Sequence, residues 1–122
     1  PLAGGLLTGK YRDGAPPGTR STLDGYGWLH SRYAGKDAPA NIAKVEKLRP
    51  IASELGGSLA QLAIAWCLAN PNVSTVILGA SRPEQLRENL AAIEVAGRMT
   101  PAILERIEQI LGNRPAPEKD WR

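Results

Sequence analysis

At 122 residues, with 43% apolar and 22% charged side chains, the chain has the composition of one globular domain and not of a disordered segment. Its net charge of +3 is spread over fifteen basic and twelve acidic residues that alternate along the sequence, which argues against a nucleic-acid surface. The uncharged stretch from Gly56 up to Arg82 is broken by Ser58, Gln61, Asn70, Asn72 and Ser74, too polar for the ~20 apolar residues of a membrane span, and a lone cysteine without a leader-like start points to a reducing cytoplasm.

Pro1 to Asp24 holds five glycines and three prolines, a density that predicts a long loop. A short aromatic segment with Tyr26, Trp28 and Tyr33 follows. Ile42, Val45, Leu48, Ile51 and Leu55 then fall on one helical face, with a kink or break expected at Pro50 and a stop at Gly56 and Gly57. Ser58 and Gln61 form an S-x-x-Q capping box for a second helix, Leu59 to Leu68, that is apolar nearly all round and so needs cover on several sides.

Asn70, Pro71 and Asn72 make a turn into Val73 to Leu78, whose unalternating Val76, Ile77 and Leu78 predict a parallel strand buried on both faces. After Gly79 and Ala80, Ser81 with Glu84 reads as a second capping box, opening a helix through Leu86, Leu90 and Ile93. Thr100 and Pro101 start a last helix with Ile103, Leu104, Ile107, Ile110 and Leu111 inward, and Gly112 stops it. The tail to Arg122 is polar.

One buried strand cannot satisfy its own backbone, so its neighbours are expected in sequence outside this chain. Helix, strand and helix at this spacing make about one and a half units of a (β/α)₈ barrel, an α/β fold of about 250 residues. Residues 1–122 therefore read as the C-terminal portion of a single barrel domain. A part of a barrel leaves edges and apolar faces uncovered, and the chain alone is expected neither to fold stably nor to turn over substrate.

The chemistry concentrates in V-I-L-G-A-S-R-P-E-Q-L-R-E-N-L, Val76 to Leu90. Backbone amides and the dipole at a helix start bind phosphate. Gly79 and Ala80 allow close approach, Ser81 offers a hydroxyl, and Arg82 a charge. Gln85, Glu88 and Asn89 share a face suited to an adenine edge. On the residues alone the same pattern is equally a well-made helix cap with solvated polar neighbours.

This segment resembles the adenosine-phosphate site of aldo-keto reductases, in particular the branch of the potassium-channel beta subunits and their bacterial relatives. In the same order, P-L-A-G-G-L-L-T-G-K-Y, R-D-G-A-P-P-G-T-R, G-Y-G-W-L, L-A-Q-L-A-I-A-W-C-L and I-L-G-N-R-P followed by K-D-W-R match that branch along nearly the whole chain. The resemblance implies NADP(H) held by two parts of the sequence. In the first, Pro1, Leu2, Ala3 and Gly4 run along the cofactor, Lys10 stands near the phosphates, and Arg20 crosses the pyrophosphate. In the second, Gly79, Ser81, Gln85, Glu88 and Asn89 hold the adenosine end, with Arg82 at the 2′-phosphate.

It further implies reduction of a small-molecule aldehyde or ketone by hydride from the nicotinamide. The family's tyrosine, lysine, aspartate and histidine precede the part matched here, so no residue of this chain is assigned a catalytic role. A nucleotide-sensing regulatory subunit with little turnover, and a small helical interaction module, are the alternative functions. A homo-oligomer is compatible with the resemblance. Neither a metal site nor a nucleic-acid partner is expected, since no Cys/His cluster exists. His30 lacks an acidic partner fixed by spacing, and Cys67, Trp28 and Trp66 read as packing residues, Trp66 facing the core.

Overall fold

A computed structural model describes residues 1–18, 24–25 and 36–116. The aromatic segment with Trp28 and His30, the loop position Arg20 and the terminal K-D-W-R all lie outside these residues. Within them the chain forms an irregular 3₁₀ turn over Ala3–Thr8 and five helices: α1 (Ala38–Glu54), α2 (Leu59–Leu68), α3 (Pro83–Leu90), α4 (Ala92–Ala96) and α5 (Pro101–Leu111).

Helix α1 starts with Pro39 in its first turn, where a missing N–H costs nothing, and buries Val45, Leu48, Ile51 and Ala52 on the expected face. It runs unbroken through Pro50. Pro50 lies on the exposed side, so the Glu46 carbonyl that loses its amide partner can turn to water. The helix ends in a Schellman motif. Gly56 stands at φ +71°, its N–H donates to the Ser53 carbonyl at 3.0 Å, and that of Gly57 donates to Ala52 at 2.9 Å.

The Ser58–Gln61 capping box then opens α2 as expected. The Gln61 N–H donates to Ser58 Oγ at 3.3 Å and the Ser58 N–H to Gln61 Oε1 at 2.8 Å. Likewise Thr100 caps α5 by accepting from the Ile103 N–H at 3.3 Å, and Gly112 closes it at φ +59°. Leu48, Ile51, Leu55, Leu59, Leu62, Val95, Ile103 and Ile107 form one core between α1, α2, α4 and α5, each burial worth about 1.5–3 kcal/mol. Arg106 pairs with Glu54 at 2.9 Å, and Lys44 donates to the Leu111 carbonyl, both tying α5 to α1.

Five expectations are corrected. Val73 to Leu78 is not a strand, and among the described residues there is none. Residues 74–80 share no hydrogen bond with other described residues, because a parallel strand exists only where neighbours accept and donate. The Ser81–Glu84 capping box is absent. Pro83 forces the residue before it into extended backbone, so Arg82 (φ −141°, ψ 146°) takes the cap position and Ser81 falls outside the helix.

The single helix expected through Leu86, Leu90 and Ile93 is two. Those three residues are exposed, while Asn89, Ala92 and Val95 turn towards the core and the helix breaks at Ala91 between α3 and α4. Trp66 does not face the core either: it is 41% exposed, although it stands one turn along α2 from buried Leu62. Periodicity on an all-apolar helix leaves the inward direction undetermined. Part of the predicted loop is also ordered, as the 3₁₀ turn and a fully buried Tyr11 packed on Leu6, Ala15 and Ile42.

Candidate functional site

Two groups of residues singled out by the sequence sit on separate elements. The first gathers around the N-terminal turn. Ala3, Gly4 and Gly5 follow one another at φ 48°, 67° and 99°, a left-handed run that folds the chain back on itself. The Gly5 N–H donates to the Leu2 carbonyl at 2.9 Å, and the Thr8 hydroxyl to the Gly5 carbonyl at 2.7 Å.

Lys10 returns over this turn. A methyl group at Gly5 would lie 2.6 Å from Lys10 Cε, so any side chain there would push the flexible end of the lysine aside, and the Lys10 ammonium stands 5.0 Å from the Tyr11 ring centroid. The Tyr11 hydroxyl is 3.5 Å from the Gly4 carbonyl. Pro1, Leu2, Ala3, Gly4 and Lys10, five residues scattered over a flexible composition, are thus collected in one place with Lys10, Ala3 and Gly4 exposed.

The second group occupies the approach to α3. Gly79, Ala80, Ser81 and Arg82 are exposed, and a Cβ at Gly79 would meet no atom within 4 Å, so packing within the described residues does not require glycine there. No side chain caps α3, which leaves its first amides and dipole facing outwards. Gln85 reaches back and accepts from both the N–H and the hydroxyl of Ser81, each at 3.0 Å, fixing the turn before the helix.

Gln85 is half-buried, Asn89 buried and Glu88 exposed, so the three share neighbouring positions but not one environment. The Glu88 carbonyl accepts from Gln61 Nε2 of α2 at 2.9 Å. The sequence marks Gln61 only as a cap, because a capping motif carries no signal of what its second amide atom touches.

A third feature had no sequence signal. A cavity of about 360 Å³ is lined by Leu59, Leu62, Trp66, Cys67, Ile107 and Glu108 among others. Glu108 Oε2 is buried there without a hydrogen-bond partner, and Arg114 Nε stands 3.6 Å away. Apolar lining of this kind reflects helices whose outer faces are uncovered. Among the described residues no three His, Cys, Asp or Glu side chains are placed to hold a metal, and no single helix is long and apolar enough to cross a membrane.

An open helix start beside a glycine, a serine and an arginine, with a lysine-bearing left-handed turn elsewhere in the chain, can hold a ligand carrying several phosphates. A family model described as the aldo/keto reductase family matches residues 1–111.

Proposed function

The chain belongs to the aldo/keto reductase family, a family of oxidoreductases, and on that premise we propose that it is the C-terminal, cofactor-gripping part of an NADP(H)-dependent (β/α)₈ barrel that reduces aldehydes or ketones. The observation that carries the reading is the uncapped start of α3, flanked by exposed Gly79, Ser81 and Arg82. Its amides would take a phosphate, the Ser81 hydroxyl would turn from Gln85 to a phosphate oxygen, and the Arg82 guanidinium would answer the 2′-phosphate that distinguishes NADP from NAD. Gln85 and Asn89 border the adenosine, Glu88 its outer edge. By the resemblance Pro1 to Gly4 would run along the cofactor, with Lys10 near the phosphates, and Arg20, which lies outside the described residues, is assigned to the pyrophosphate from the sequence.

Bound in this way, the nicotinamide supplies the hydride for the carbonyl carbon. The resemblance of its motifs along nearly the whole chain supports reading the parent protein as a relative of the channel beta subunits and their bacterial relatives.

The unpaired residues 74–80 and the exposed Ile77, Leu86, Leu90 and Ile93 support the barrel reading, since strands of the same sheet would pair the one and cover the others. In the full-length protein, titration of NADPH and NADH against wild type and Arg82→Glu tests it. The variant is expected to lose NADPH affinity about tenfold or more while keeping its NADH affinity. Equal affinities in wild type and variant for both nucleotides would sink the assignment. Steady oxidation of NADPH over a panel of aldehydes then separates an enzyme from a nucleotide-sensing subunit.

A further inference from the structure

Gln61 uses both ends of its amide for different tasks. Its Oε1 accepts from the Ser58 N–H at 2.8 Å, completing the cap of α2, and its Nε2 donates to the Glu88 carbonyl of α3 at 2.9 Å. The second bond joins residues 27 positions apart and lands one residue before buried Asn89. Two further contacts bind the same pair of segments. A Cβ on Gly57 would lie 2.6 Å from Val95 Cγ2, so α4 packs directly on the backbone of the turn before α2, and Arg98 Nη1 donates to the Leu55 carbonyl at 2.8 Å.

Val95 and Arg98 hold the far end of the α3–α4 unit. Near its middle, where Glu88 and Asn89 stand, the side-chain hydrogen bond to the rest of the described fold is that of Gln61. Rotation of α3 about its axis would carry Gln85, Glu88 and Asn89 away together, and this hydrogen bond opposes it.

We infer that Gln61 is a positioning residue for the adenosine end of the nucleotide: it touches no part of the ligand and sets the rotation of α3 on which Glu88 and Asn89 ride. The inference rests on the cofactor reading above. It assigns to a capping glutamine a role in affinity for one half of the cofactor only.

Gln61→Glu isolates that role. Glutamate caps as well as glutamine does, so the bond from the Ser58 N–H survives, whereas the donor to the Glu88 carbonyl is gone. In the full-length protein, dissociation constants would be measured for NADPH, for adenosine 2′,5′-bisphosphate and for reduced nicotinamide mononucleotide, with melting temperatures alongside. Gln61→Glu is expected to weaken NADPH and the bisphosphate by about three- to tenfold, as loss of one hydrogen bond does, with affinity for the mononucleotide unchanged and the melting temperature lowered only by the few degrees that one hydrogen bond is worth.

Wild-type affinity for the bisphosphate in Gln61→Glu overturns the inference. So does an equal loss for both half-cofactors, which would mark general damage. Arg82→Ala serves as the reference: if it weakens bisphosphate binding and Gln61→Glu does not, only the positioning role fails, and if neither does, the cofactor reading itself fails.

Discussion

Arg98 reaches across 43 positions to donate from Nη1 to the Leu55 carbonyl at 2.8 Å, and in doing so seals the end of α1. The guanidinium fills the space a side chain at Gly56 would take, since a Cβ there would lie 2.8 Å from the same nitrogen, and Gly56 itself stands at φ +71°. Gly56→Ala therefore meets both a left-handed backbone and an occupied site. It is expected to lower stability by about 1–3 kcal/mol in urea unfolding. A wild-type midpoint would show that α1 does not end in the left-handed cap.

Pro50 makes the opposite case. It sits inside α1 on the exposed side and denies Glu46 its helical hydrogen bond. Pro50→Ala restores the bond and disturbs no core contact, so a gain of about 1–3 kcal/mol is expected in the same assay. A loss would mean that the proline shapes a bend the core depends on.

Gly5 joins stability to the proposed site. Gly5→Ala strains a residue at φ +99° and displaces the Lys10 stem from 2.6 Å. It should cost about 1–2 kcal/mol and weaken NADPH binding as much as Lys10→Ala does. Lost stability with undiminished NADPH affinity would separate Lys10 from the phosphates.

The Arg49–Glu46 pair sets a small pH dependence. Arg49 donates to both carboxylate oxygens of Glu46, at 2.9 and 2.7 Å, and this hydrogen bonding holds the Glu46 carboxyl below its ordinary value. A lowered folded value means that the stabilisation is complete above the ordinary glutamate range and lost as pH falls through it. Exposure of the pair limits its worth to about 0.3–0.5 kcal/mol. Unfolding midpoints of wild type and Glu46→Gln should differ slightly at neutral pH and converge near pH 3. A gap that persists in acid would assign the effect to something other than the ion pair.

What the sequence revealed depended on how local each signal was. The Ser58–Gln61 box, the Thr100 cap and the glycine stops at Gly56 and Gly112 are each complete within a few residues, and each stands as read. Ser81 misled because the conformational demand of Pro83 outranks a capping pattern. Trp66, on an apolar helix, gave no direction, and Val73 to Leu78 carries strand chemistry whose partners are not among the described residues. At the candidate site the residue types around α3 were legible, but the gathering of Lys10 over Gly5 and the bond from Gln61 to Glu88 join elements that no short motif connects.

The unpaired segment has a practical consequence for anyone handling the chain by itself. V-S-T-V-I-L is six residues without a charge or a proline, and Ile77 is 83% exposed. Such a stretch, with its peptide groups open from residue 74 onwards, is a template for cross-β stacking between molecules. Turbidity of the isolated chain should grow steeply with concentration, and one lysine in place of Ile77 should suppress it. The shelf life of the isolated chain would then be governed by these six residues and not by the packing of its helices.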